Sequence, residues 1–255
     1  MRMNTSVNDI FLAGTYDVCL SDAERAKKDI IIESVRAFSQ CCVCQGVYVI
    51  DYSNRKFAYM SDKMASLCGH HADTMREMGY DFYRNYVPCQ EYALLKEAHR
   101  KGFEFMERVP KEDRVHYSMQ YDVHIINGRR THCTHHTLTP LALDKKGHIW
   151  LALCIVTISS KNHYGHIIIK RENDGTFYEY DHHLHKWVGK SAVILTDMER
   201  SVLWMIRQGY TLTDMAEMLC RTTDTVKACR RRLYAKLGVV NMMEAMNHVE
   251  MYSLI

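Results

Sequence analysis

Residues 221–238 read RTTDTVKACRRRLYAKLG, and the spacing of their apolar residues leaves few folds open. Val226, Cys229, Leu233 and Leu237 recur at helical intervals and fall on one side of a helix. Lys227, Ala228, Arg231 and Ala235 fall on the other side, and the segment carries a net +5 with Asp224 as its single acid. Two alanines at the centre of the outer face let a backbone come close to a partner while the flanking cations reach sideways. A helix entering the major groove of DNA needs that combination. Thr222 can cap the start through its hydroxyl, and Gly238 can take the left-handed conformation that ends a helix. Alone, the stretch reads equally as a solvated basic helix. Its surroundings decide.

A chain of 255 residues has room for two domains with cores of their own, and 47% hydrophobic with 25% charged residues is a globular composition. The longest apolar run, residues 149–158, is too short to cross a membrane. The opening MRMNTSVNDIF lacks the pattern of a signal peptide, so a cytoplasmic protein with no membrane partner is expected. Ten cysteines in such a chain suggest buried thiols and not a disulfide framework. Cys41-Cys42-Val43-Cys44 contains a CxxC, but no second pair follows at zinc spacing, and no metal site is expected. The histidines of residues 132–136 and of His182-His183-Leu184-His185 lack matching ligands and are expected to be exposed. The net charge of +3 is spread evenly over the chain, so affinity for nucleic acid must come from a local patch.

In chain order, residues 1–20 show no period and read as a loose arm. Ser21-Asp22-Ala23-Glu24 is a capping box for a helix running to about Ser39, with Ile30, Ile31, Val35 and Phe38 as its stripe, suited to packing or to a dimer contact. Strands are predicted over 47–51 and 57–60, short helices over 61–69 and 72–78, and a longer helix over 88–105 carrying Tyr92, Leu95, Ala98 and Phe103. Val115, Tyr117, Met119, Tyr121, Val123 and Ile125 then alternate with polar residues in a clear strand pattern. Asn127-Gly128 reads as a type I′ turn, 130–139 as the return strand, and 150–159 as a central strand apolar on both faces. Residues 166–171 and 176–180 form a further hairpin around Asn173-Asp174-Gly175, and Trp187 reads as an anchor between domains.

Two strands, a run of helices and a three-strand meander, with YVIDYSNRKFAYMSDKMASLCG as the best local match, resemble the PAS sensor domain over residues 40–160. The resemblance implies a five-stranded antiparallel sheet with helices over one face, and a role in sensing or dimerisation. PAS domains hold flavin, haem or small metabolites, or nothing. The reactive Asn-Cys-Arg-Phe run of the photoactive flavin type is absent here. Some haem-binding types use a histidine on the long helix, where His99 lies, but a single candidate ligand is weak support and no haem is expected. A pocket for an unidentified small molecule would be walled by Met64, Leu67, Tyr92, Leu95, Tyr117, Met119 and Tyr121, unless these simply pack a solid core.

From Leu195 the pattern is helical. Capping boxes at Thr196–Glu199 and Thr211–Asp214 open two helices, a break at 220–222 leads into the basic helix, and 241–252 closes the unit. Short helix, tight turn, basic helix is a helix-turn-helix. The run LTDMERSVLWMIRQGYTLTDMAEMLCRTTDTVKACRRRLYAKLGVVNMMEA looks like the LuxR-type (NarL/FixJ-type) helix-turn-helix domain: it shares the Leu-Thr-x-x-Glu start, the Gly after the first helix, Thr-Val-Lys and Lys-Leu-Gly-Val. Met198, Thr211-Leu212-Thr213 and Cys229 depart from the family's usual residues. The resemblance implies base contacts by Lys227, Ala228 and Arg231, and phosphate contacts by Thr213, Thr223, Thr225 and Lys236, with Arg230 added to the DNA-facing set. It also implies dimerisation through the last helix, where Met242, Met246 and Val249 form a stripe.

The expected fold is α+β: an arm and helix (1–39), a PAS-like sensor domain (40–160), a β-hairpin connector (161–194), and an all-α four-helix helix-turn-helix domain (195–255). The expected function is a bacterial, homodimeric transcription regulator that binds double-stranded DNA under control of the N-terminal domain. A protein-interaction module without specific DNA binding is the alternative. A Cys/His-dependent enzyme is a third reading, but no HxxE, GxSxG or paired CxxC is present. No acidic pair follows the first strand, so phosphorylation is not the expected input.

Overall fold

The computed structural model describes residues 18–42, 45–159, 164–172, 176–191, 193–252 and 254. The turn expected at Asn173-Asp174-Gly175, most of the N-terminal arm, and Val43-Cys44 of the CxxC lie outside the described residues. The chain divides into two compact units, Met1–Lys190 and Ser191–Ile255.

The first unit is built on one sheet. Helix α1 (Asp22–Cys41) precedes strands β1 (Gly46–Asp51) and β2 (Lys56–Met60). Helices α2 (Asp62–Leu67), α3 (Ala72–Met78), α4 (Asp81–Tyr86) and α5 (Cys89–Arg108) follow, then a 3₁₀ turn over Lys111–His116. Strands β3 (Tyr117–Asn127), β4 (Arg130–Leu143), β5 (Ile149–Ile158), β6 (Ile167–Arg171), β7 (Thr176–Asp181) and β8 (Lys186–Ser191) complete it. Among the described residues these strands form one sheet in the order β2-β1-β5-β4-β3-β6-β7-β8, antiparallel at each pair from β2 to β7. The sheet therefore has eight strands where five were expected. The three additional strands come from the segment read as a connector, because Tyr117↔Arg171 through Tyr121↔Ile167 register β6 against the free edge of β3.

The sheet is covered on both faces. Alternation along β1 sends Tyr48 and Ile50 into the larger core, with residues of α2–α5, and Val47 and Val49 into a smaller core against α1. Central β5 is buried on both sides, as its apolar run predicted. Helix α1 docks by a face rotated from the expected stripe: Val35 is buried and Ile31 packs beside it, but the stripe's other two residues turn outward. Ile32, Val35 and Ser39 are buried, whereas Ile30 and Phe38 are 69% and 46% exposed. Polar ends fix that rotation: Lys28 pairs with buried Asp51 at 2.6 Å, and Ser39 hydrogen-bonds the hydroxyl of Tyr59.

Other expectations shift by a few residues. Val115 lies in the 3₁₀ turn and is exposed, so the alternation begins at Tyr117. The β3–β4 loop closes at Asn127↔Arg130, and of its two residues only Gly128 has positive φ (58°). That is the pattern of a type II′ turn, not the I′ turn expected. Helix α4, not expected, forms where Phe82 and Tyr83 plug the core. Trp187 packs inside the first unit, its indole N–H donating to the carbonyl of Lys101 at 3.0 Å, and not as a joint between domains.

A hydrogen-bonded chain runs through the main core. Thr134 donates its hydroxyl proton to the carbonyl of Val123 at 2.7 Å, so its oxygen accepts from His136 Nε2 at 3.0 Å. His136 Nδ1 is then an acceptor, 3.2 Å from the hydroxyl of Tyr48, which in turn accepts from the hydroxyl of Tyr83 at 2.6 Å. Tyr121 stacks on the His136 ring at 5.1 Å between centroids. His136 was expected to be exposed and is fully buried. Its position on β4 faces inward, and this chain satisfies both ring nitrogens.

Candidate nucleic-acid interface

The second unit consists of α6 (Asp197–Arg207), α7 (Leu212–Met218), α8 (Thr223–Leu237) and α9 (Met242–Tyr252). Its starts follow the predicted caps. Thr196 and Thr211 form reciprocal capping boxes with Glu199 and Asp214, and Thr222 accepts from the backbone of Thr225. Its stops share one device. Gly209, Cys220 and Gly238 sit at positive φ, and the next residue's N–H returns to a carbonyl five residues back: Tyr210 to Met205, Arg221 to Ala216, Val239 to Tyr234.

Cys220 is the exception among these three, since a side chain at φ 51° is strained by about 1–2 kcal/mol. Cys220→Gly should therefore raise the stability of this unit by about 0.5–1 kcal/mol, after the added freedom of the unfolded glycine is subtracted. An increase in the melting temperature of the isolated transition checks it. A decrease would show that the Cys220 side chain contributes packing of its own.

Helix α8 divides as its spacing predicted. Val226, Cys229, Leu233 and Leu237 are buried against α6, α7 and α9. Lys227, Arg231 and Ala235 are exposed and Ala228 half-exposed on the outer face. Lys227 rests 3.4 Å from Asp224, with 57% of its side chain accessible, so the contact leaves it available. Arg221 and Arg232 are exposed and Arg230 is half-buried. Thr213 is exposed on the preceding helix, and Thr223 and Thr225 are half-buried at the start of α8.

Lys236 is exposed on the last turn of α8. Its ammonium pairs with Glu199 at 2.7 Å and ties the end of α8 to the capping box of α6. That hydrogen bond, with the backbone N–H of Thr196, holds the Glu199 carboxyl below its ordinary pKa. The stripe Met242, Met246 and Val249 is only partly exposed. Val249 is 1% accessible and lies in the domain core, Met246 packs against it, and Met242 alone is exposed. The exposed apolar residues around the start of α9 are Val240, Met242 and Met243. An i, i+4, i+7 reading could not tell a dimer stripe from the face that closes the domain.

Residues 193–249 match the family model described as bacterial regulatory proteins, luxR family. This unit is a LuxR-type helix-turn-helix domain. No curated protein matches the chain. Among solved structures, the chain is similar to the phage VqmA–DPO complex at 16% identity and TM-score 0.36, covering 91% of this chain and 93% of that one. It is similar to the Vibrio cholerae VqmA dimer in the absence of target DNA at 17% identity and TM-score 0.34, covering 86% of each. For Escherichia coli SdiA the values are 11% and 0.28, with 89% of this chain and 92% of that chain covered.

Outside the LuxR-type domain, the seven predicted pocket residues are not gathered around one void. Tyr117 and Met119 line a cavity of about 40 Å³ with His99, Phe103 and Leu138. Met64, Leu95 and Tyr121 are packed solid, and Leu67 and Tyr92 pack against the same core. Gly102 permits the close approach of α5 here, since a Cβ would lie 3.1 Å from the Met119 sulfur. His99, weighed as a surface or ligand histidine, is a buried cavity wall. No group of three or more His, Cys, Asp or Glu among the described residues could hold a metal. No helix is long and apolar enough to cross a membrane among those residues.

Proposed function

We propose that the chain is a bacterial, cytoplasmic transcription regulator that binds double-stranded DNA as a homodimer. Helix α8 reads base edges in the major groove through Lys227, Ala228 and Arg231, while Thr213, Thr223, Thr225, Arg230 and Lys236 fix register on the phosphates. The observation that carries this reading is the division of α8 itself. One stripe is committed to the domain core, and the opposite stripe presents small residues flanked by accessible cations. Two copies on a two-fold site would place these helices about one DNA turn apart.

Lys227→Ala and Arg231→Ala should each weaken binding to a selected duplex by about 1–3 kcal/mol while changing random-duplex affinity little. Anisotropy titrations on both duplexes check this. Equal losses on the two would remove the base-contact assignment. Lys236→Ala should lower binding to all sequences together with the melting temperature of the domain, because the Glu199 pair goes with it.

The N-terminal unit is proposed as a PAS-like sensing and dimerisation module. Supporting it are two strands, four helices and a three-strand meander, with β1 beside β5 at the centre and α2–α5 contributing to one core. A cavity of about 40 Å³ holds about one water, given water's ~30 Å³ share of the liquid. A metabolite bound there would have to displace side chains, Met119 and Phe103 among them.

A further inference from the structure

A second concavity lies on the first unit, beside the cavity under α5 and sharing Tyr117 with it. It is a groove of about 470 Å³ between the C-terminal half of α5 and the β7–β8 hairpin. This is within the range of small-molecule sites. Its floor is aromatic: Phe105 lies edge-on to Tyr178 at 4.8 Å and to Trp187 at 6.0 Å between ring centroids. The Trp187 ring is held in place by its bond to the Lys101 carbonyl. The rim is cationic. Arg108 and Lys186 are exposed and have no ion-pair partner among the described residues. Glu104, the one acid of the lining, is already engaged by Arg100 and Lys101.

We propose that this groove binds a planar aromatic anion, its ring against Phe105, Tyr178 and Trp187 and its carboxylate or phosphate on Arg108 and Lys186. Ring surfaces favour offset or edge contact with a further planar group. A guanidinium presents paired donors to a two-oxygen anion, and an ammonium adds a point charge. A neutral ring would leave both cations unanswered, and an aliphatic acid would leave the floor uncovered. The proposal does not depend on the DNA-binding reading, since every residue it uses lies within the first unit.

Calorimetric titration of the full chain with naphthoate and with AMP tests it, with naphthalenemethanol and cyclohexanecarboxylate as controls. At least one of the two anions should bind with one-to-one stoichiometry, and each control should bind at least about tenfold more weakly. Naphthoate alone assigns a carboxylate ligand, and AMP alone a phosphate ligand. The surface variant Arg108→Gln/Lys186→Gln should fold normally by circular dichroism and lose binding by about tenfold or more. Trp187→Leu should lose it as well. The proposal is overturned if neither anion binds, if a control binds as well as its aromatic anion, or if the Arg108/Lys186 variant binds unchanged.

Discussion

Acidification from pH 7 to about 4.5 is expected to remove roughly 5 kcal/mol of stability from the N-terminal unit, through two buried histidines. Burial draws both His99 and His136 down from 6.5 to about 3; His136 charge adds to the effect on His99, and His135 to that on His136, which Asp122 partly opposes. In the unfolded chain these rings take up protons near their ordinary pKa, while the folded chain refuses them until near 3. The unfolded state thus binds more protons throughout that interval, and stability falls continuously as pH drops through it. Each ring contributes about 2–3 kcal/mol at pH 4.5. Glu179 acts lower down. Chiefly through its hydrogen bond with His166, its pKa is held at about 2, so its share of stability begins to fall only near pH 4.5 and is lost as the pH approaches 2. Urea midpoints at the two pH values measure the effect. His99→Leu, which keeps the ring pocket apolar, should reduce the pH-dependent loss by about half. An unchanged midpoint would mean that water reaches these rings.

Lys28→Met is expected to destabilise the same unit by about 2–4 kcal/mol, because it strands a carboxylate inside the protein. The Asp51 side chain is 1% accessible and is bonded by Lys28 and by the backbone and hydroxyl of Ser53. Lys28 itself is 31% accessible, which places the effect below that of a wholly buried pair. The sharper signature is non-additivity: Lys28→Met combined with Asp51→Leu should be less damaging than Lys28→Met alone. Denaturant unfolding of the three variants, with hydrogen exchange in α1, distinguishes this from lost packing. If the double variant is the least stable, the pair is not what holds the helix.

What could be read from the residue string was whatever is settled within a few positions. The caps at Ser21, Thr196, Thr211 and Thr222, the inner stripe of α8 and the alternation along β3 are all local, and they stand as expected. The face of α1 was legible only at Ile31 and Val35, because its polar anchors are a lysine and a serine whose partners, Asp51 and Tyr59, lie 23 and 20 residues away. Strands β6 and β7 were both recognised, but their attachment to β3 depends on a pairing some fifty residues apart in sequence, which no local pattern encodes. For Lys236 and Val249 the residue type fitted an outward role equally well. Only the fold shows Val249 packed in the core beside Leu233, and Lys236 paired with Glu199 while still exposed. Helix α4 escaped because a run of adjacent aromatics has no period to detect.

Strand β3 is gripped along both edges, by β4 from Met119↔Leu138 to Asn127↔Arg130 and by β6 from Tyr117↔Arg171 to Tyr121↔Ile167. Tyr117 and Met119, which wall the small cavity, sit on the stretch tied to β6. Ladder bonds hold neighbouring strands at about 4.8 Å, so lateral movement of one is passed to the next instead of being absorbed. The stretch of β3 that walls the cavity is thus also the stretch that seats β6 and, through it, β7.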